Sequence, residues 1–335
     1  MTPLNMKFPT LMAQLFYGNS KIKNEIGFLD IKPSDGMINV ENFERIRISA
    51  AAYDCMPYKS FSDYLKIING YFENAAKHHS SLLILPQLFG LSCVTIPWKG
   101  KKIIHNILSE EFTDIYLKDY ISTMGKWNMN FYINCFSNFA KKYNMFVQPG
   151  SILFFENDKI YNRSFMFDNN GFIIGHQDKL FPNQHELNMG VSAGDTINIM
   201  KTPLGNFAIL NGRDSTGFEV AKISKELGAD IIISSCIKND NISPELHAES
   251  VKWRCEEQNT YGIIPCSKYE KDNSIIFIAP YSLTENMDGI LALENENNIK
   301  SYTFNYKKIN ANFNSYTSDK NYQFYQKYFN EIYNK

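Results

Sequence analysis

Apolar positions in this chain fall into short blocks that alternate between two periods. RIRISAAAYD, from Arg45, is an apolar run bounded by polar residues and predicts a buried strand. FSDYLKIINGYFENAAKHH then sets Tyr64, Leu65, Ile68, Tyr71, Phe72 and Ala75 at three- and four-residue spacing, the stripe of an amphipathic helix with Ser60 or Ser62 near its start. SLLILP follows as a second buried strand closed by Pro86. Strand, long helix, strand is the order of a crossover unit, with parallel strands and the helix over one face.

Two helical stretches are predicted next, roughly 109–122 and 130–143. MFVQPGSILFFE, YNRSFMFD and GFIIGHQD then read as short strands, with a turn at Asp168, Asn169, Asn170 and Gly171. Strands joined by tight turns run antiparallel, so the expected sheet is mixed. A second crossover follows: GNFAILN as strand, TGFEVAKISKELG as helix with Gly228 at its C-terminal cap, and ADIIISS as a fully apolar strand. Ser243-Pro244 opens another helix to about residue 258, and TYGIIPC and SIIFIAP are further strands. The expected organisation is an N-terminal extension over 1–44, one domain over 45–293, and a polar C-terminal extension over 294–335 that ends in an aromatic-faced helix.

Composition narrows the class. With 335 residues, 44% hydrophobic and 21% charged, the chain has the usage of a folded globular protein. A net charge of -1 supplies no field for a nucleic-acid backbone, and nucleic acid is not an expected partner. The six cysteines make no C-x-x-C pair and have no His at zinc-ligand spacing, so reduced thiols and no metal are expected. No leader-like start and no run of 18 apolar residues occurs, which points to a cytoplasmic protein off the membrane. No organic cofactor is indicated either, for want of a phosphate-cradling glycine loop.

Four spots carry candidate chemistry, each with a plainer meaning beside it. Gln87, in LLILPQLFG, sits just past a buried strand where α/β folds place active groups, or it caps a turn. Lys179 closes a strand in IIGHQDKLFPNQHE, ahead of His185 and Glu186; such a lysine is usually a solvated charge. GNFAILNGRDSTGFE runs from a strand through Asn211, Gly212, Arg213 and Asp214 into a helix. That elbow suits a nucleophile, yet glycine has no side chain to offer, and its ordinary meaning is positive φ or close backbone approach. Cys236 ends DIIISSC, where a buried structural thiol is the default.

Together these segments, from about Arg45 to Leu293, resemble the nitrilase superfamily of carbon–nitrogen hydrolases. LLILPQLFG matches the segment bearing the family's general-base glutamate, with Gln87 at that position. Lys179 stands at the catalytic lysine and Glu186 at a second active-site glutamate of many members. The nucleophile segment resembles GNFAILNGRDSTGFE, with Gly212 where the cysteine belongs. Gly205, Asp214 and Glu219 keep that register, and Arg254 and Glu257 in RCEEQNTY resemble a further family segment.

The resemblance implies a four-layer α-β-β-α sandwich that pairs into dimers. It also implies a mechanism in which glutamate deprotonates cysteine, the thiolate attacks an amide or nitrile carbon, and lysine stabilises the oxyanion. Glutamine cannot take up that proton and glycine supplies no nucleophile, so the triad reads Gln87, Lys179 and Gly212. The expectation is a hydrolytically inactive homologue that binds a small amide, nitrile or carboxylate, with Asp214, Ser215 and Cys236 as ligand contacts, or that serves as a subunit beside itself or a related chain. The alternative is an enzyme acting on a C–N bond in which Lys179 and Glu186 activate water or an amine, or in which Cys236, Ser215 or Cys93 reaches the carbon.

Overall fold

The computed structural model describes residues 19–29, 31–34, 44–53, 60–91, 116–235, 242–267, 274–310 and 329–330. Its first crossover runs from β1 (Arg45–Tyr53) through α2 (Phe61–Lys77) to β2 (Leu82–Leu85), after a short α1 (Asn19–Gly27). Ser60 caps α2 by accepting from the Asp63 N–H at 3.1 Å, and β1 and β2 pair in parallel, Ile48 opposite Leu82. A single helix, α3 (Tyr116–Tyr143), leads to β3 (Phe146–Pro149). The sequence reading placed two helices here. Gly125 lies inside this helix, packed so closely on a neighbouring strand that a Cβ would stand 3.2 Å from that of Phe155.

Strands β4 (Ser151–Glu156), β5 (Lys159–Phe167) and β6 (Ile173–Asp178) form the expected antiparallel run. The short α4 (Gln184–Asn188) follows, then the hairpin β7 (Ile199–Thr202) and β8 (Gly205–Ile209), α5 (Phe218–Glu226) and β9 (Ile231–Ile233). The chain continues through α6 (Pro244–Gln258), β10 (Tyr261–Ile264), β11 (Cys266–Ser267), β12 (Ile275–Ile278), β13 (Ile290–Glu294) and β14 (Ile299–Asn305). One mixed sheet has the order β11-β1-β2-β3-β5-β4, with β14 on β1 and β6 on β5; the other has β13-β12-β10-β9-β8-β7.

Residue alternation decides which face meets what. Along β1 and β2, Ile46, Ile48, Ala50, Leu82 and Ile84 pack with Phe207, Ile209, Ile231, Ile233 and Ile263 of the opposite sheet. Ala51, Leu83 and Leu85 face outward onto Phe72, Phe136 and Phe139 of α2 and α3. Ala208 and Ile232 face Val220 of α5 and Val251 of α6. The layers are therefore helix, sheet, sheet, helix, as the resemblance implied.

The extension expected from residue 294 contains a strand of the first sheet, since β14 pairs with β1 over seven residues, from Arg45 opposite Asn305 to Ala51 opposite Ile299. Its side chains are half-buried and polar by turns, so no apolar run announced it. Beyond β14, Tyr306 is 9% exposed and its hydroxyl donates to the Leu204 carbonyl, tying this segment to the second sheet. Of the helix expected at the C-terminus only residues 329–330 are described, and they are helical; most of 1–44 lies outside the described residues.

Candidate active site

Strand ends β2, β6, β8 and β9 bring the singled-out residues to one end of the sandwich. Lys179 follows β6 directly; its N–H donates to the Asn162 carbonyl at 2.9 Å, and its own carbonyl accepts from Gly194 at the same distance. On β5, Arg163 is held by Asp178 through two bonds of 2.7 and 2.8 Å and lies over the Phe154 ring. This bidentate clamp fixes the β5–β6 register immediately beside Asn162 and Lys179.

Glu186 stands at the third position of α4, where Asn183 and Glu186 form a reciprocal capping box. Its Oε2 accepts from the Asn183 N–H at 2.9 Å and from Lys179 Nζ at 2.8 Å, while Oε1 accepts from Asn162 Nδ2 at 2.9 Å. Both side chains of the ion pair are sealed, at 0% and 1% exposure. A charge this buried needs such saturation, because unpaired it would cost several kcal/mol. The lysine of the sequence reading is thus no solvated charge.

After β8 the chain turns at Asn211 into a 3-10 turn, Gly212–Ser215. Gly212 has φ +55, the left-handed region, and its N–H donates to the Ser235 carbonyl at 2.7 Å. The Ser215 hydroxyl donates back to the Gly212 carbonyl. The buried Asp214 carboxylate accepts from the Leu180 N–H at 3.1 Å and the Phe181 N–H at 2.7 Å, so the elbow is bonded to the segment that carries Lys179. Both candidate ligand contacts on this turn are therefore engaged within the protein. Cys236 and Cys93 lie outside the described residues.

Gln87 follows Pro86 and is 3% exposed. The turn is tight: Leu88 takes φ +60, and a Cβ on Gly150, at φ +70, would collide with the Pro86 carbonyl. The Gln87 N–H donates to Ser235 Oγ at 2.7 Å. Ser235 thus touches the backbone of both Gln87, through its hydroxyl, and Gly212, through its carbonyl. Asn211 extends the contact, donating from Nδ2 to Ser164 Oγ at 2.8 Å across the sheets.

Sequence reasoning missed Ser235, Asn162 and Ser164. Their signal was alternation: Ile231, Ile233 and Ser235 share the inter-sheet face of β9 and its extension, as Asn162, Ser164 and Met166 do on β5. A polar residue where the pattern demands an apolar one marks the point where the sheet interface becomes a site. On the opposite face of the β9 extension, Ser234 meets His247 Nε2 of α6 at 2.9 Å and anchors that helix behind the elbow.

The profile of the carbon-nitrogen hydrolase family matches residues 49–263, a span that begins within β1 and ends within β10. Among curated proteins, the chain is 27% identical over 197 residues to YhcX of Bacillus subtilis, described as a probable hydrolase. That match takes in 58% of this chain and 35% of YhcX, so the chain spans about a third of that relative. Among solved structures, a carbon-nitrogen hydrolase from Helicobacter pylori aligns with a TM-score of 0.65 at 16% identity, covering 85% of this chain and 98% of that one. Nit3 of Saccharomyces cerevisiae, of branch 10 of the nitrilase superfamily, aligns at 0.61 and 17%, covering 87% and 99%. A glutamate-to-glutamine, cysteine-to-alanine double mutant of the amidase from Nesterenkonia sp. AN1, in complex with acrylamide, aligns at 0.62 and 11%, covering 85% and 97%. With the sandwich, the elbow and the buried lysine–glutamate pair all present within the matched span, the chain belongs to the carbon-nitrogen hydrolase family.

Proposed function

We propose that the chain is a hydrolytically inactive member of this family that holds a small amide or carboxylate compound, or acts as a subunit of an assembly. The observation that carries this reading is Gly212 at the elbow: it meets Ser235, which also holds the Gln87 N–H, yet it carries no side chain, and Gln87 cannot accept a proton. Residues that act as a unit lose function together, so neither change is compensated by keeping Lys179. The Nesterenkonia amidase supports retention of binding, since its mutant with the same two kinds of loss is found with acrylamide.

The alternative, in which Lys179 and Glu186 activate water directly, draws less support. Glu186 already accepts from Lys179, Asn162 and Asn183, and a base must have a lone pair facing its water. Association with a second copy or a related subunit belongs to the same reading: Leu246 and Trp253 of α6 are 58% and 51% exposed and offer apolar surface. A cytoplasmic location is part of it as well; among the described residues no helix is long and apolar enough to cross a membrane.

The deciding experiment is ammonia release from a panel of nitriles, primary amides and carbamoyl compounds at high protein concentration, with Lys179→Ala as comparison. No release above the buffer is the expected result. Release that depends on Lys179 overturns the inactive reading.

A further inference from the structure

The sandwich has a second end. Where β1 begins and β10 begins, a cavity of about 220 Å³ opens between the sheets, lined by Arg45, Lys308, Tyr261, Tyr302, Leu283 and Leu291 among others. Because β1 and β2 are parallel with Ile48 opposite Leu82, Arg45 lies about eight strand residues from the level of Gln87, roughly 25 Å at strand rise. The cavity is thus separate from the Lys179 centre.

Its charges are arranged unlike their neighbours. Lys307 is paired with Glu44, and Lys300 with Glu294. Arg45 and Lys308, which line the cavity, make no such pair among the described residues. The Tyr261 hydroxyl is committed to the Asn305 carbonyl at 2.7 Å. The Tyr302 phenol is held protonated by burial and by the charge of Glu285, which leaves it a donor across the ordinary pH range. Leu283 and Leu291 supply apolar wall. Two cations and a phenolic donor around an apolar recess match an anion with a hydrocarbon body.

We propose that this cavity is a second ligand site that takes a small organic carboxylate of about seven heavy atoms, the content of such a volume at about 30 Å³ per water-sized group. Arg45 and Lys308 hold the carboxylate, and the alkyl body lies on Leu283 and Leu291.

The test uses the full chain and three probes in calorimetry and NMR titration: pentanoate, its neutral isostere pentanamide, and inorganic phosphate. Saturable pentanoate binding is expected with a Kd on the order of 1 mM or tighter. It weakens about tenfold in Arg45→Gln/Lys308→Gln, as loss of both charge-assisted bonds requires, and persists in Lys179→Met/Glu186→Leu, which removes the buried pair without stranding a charge. Tyr302→Phe, the loss of one hydroxyl, gives a smaller loss and guards against misfolding of the double variant. Absence of saturable binding overturns the proposal. So does binding that a folded Lys179→Met/Glu186→Leu abolishes, which places pentanoate in the other site, or phosphate binding as tight as pentanoate, which leaves the apolar wall without a role. Pentanamide binding that is equally sensitive to Arg45→Gln/Lys308→Gln overturns the anion preference.

Discussion

Lys179 Nζ and Glu186 Oε2 stand 2.8 Å apart, and neither side chain is reached by solvent. Burial makes this pair asymmetric under substitution: removing one partner strands the other charge, at a cost of about 3–5 kcal/mol. Glu186→Gln and Lys179→Met are each expected to lower stability by that amount in urea unfolding, whereas Lys179→Met/Glu186→Leu recovers much of it. A double variant no more stable than either single one would show that Asn162 and Asn183, rather than the ion pair, bear the energy.

Asp214 ties the elbow to the lysine segment through three contacts with two N–H groups. Asp214→Ala leaves the Leu180 and Phe181 N–H groups unpaired in a part-buried place, and about 2–3 kcal/mol of stability is expected to go with it. Hydrogen exchange should localise the effect, with protection falling at Leu180 and Phe181 first. Uniform loss across both sheets would instead make Asp214 a global support.

The crossover units were legible because their signals are local. Ser60 caps a helix whose apolar stripe recurs every three to four residues, Ser243 and Pro244 open another, and Leu82 to Leu85 is apolar on both faces. β14 was not legible, because IKSYTFN has no apolar run and is a strand only through its ladder with β1. The site divides in the same way. Gln87, Lys179, Glu186 and Gly212 sit in segments whose order along the chain resembles a family, so their positions were readable. Ser235 was not, because its importance comes from touching Gln87 and Gly212, which lie 148 and 23 residues away in the chain.

Four buried acids make the fold sensitive to alkali. Burial pushes Cys255 and Tyr261 up to about 12, and raises Tyr143 and Tyr306 further above the usual phenol range. Each group keeps its proton in the folded state while the unfolded chain releases it, so the folded state binds more protons and stability falls as pH rises. The window opens near pH 9 for the thiol and near pH 10 for the phenols and runs to about 12. Each group steepens the fall by about 1.4 kcal/mol per pH unit within its window. Urea midpoints measured from pH 8 to 11 should therefore drop progressively more steeply. Tyr261→Phe, which removes one of the four, should flatten the slope even though it forfeits the bond to Asn305. An unchanged slope would assign the alkaline loss to other groups.

The elbow itself offers the strongest test of the proposed inactivity. At φ +55, Gly212 occupies backbone that a side chain adopts at a cost of roughly 1 kcal/mol, so Gly212→Cys is expected to fold with a slightly lowered Tm. Cysteine alone should remain poorly nucleophilic, because Gln87 provides no base. Gln87→Glu alone adds a carboxylate with no thiol to serve. Only Gly212→Cys/Gln87→Glu combines a thiol, a base and the existing Lys179, and only this variant should gain the mass of an acyl group when incubated with a primary amide. Acylation of the double variant but of neither single one would support the proposed inactivity and place its cause at these two positions. Failure of the folded double variant to acylate would mean that the Lys179–Glu186 pair, sealed at 0% and 1% exposure, no longer opens to an oxyanion.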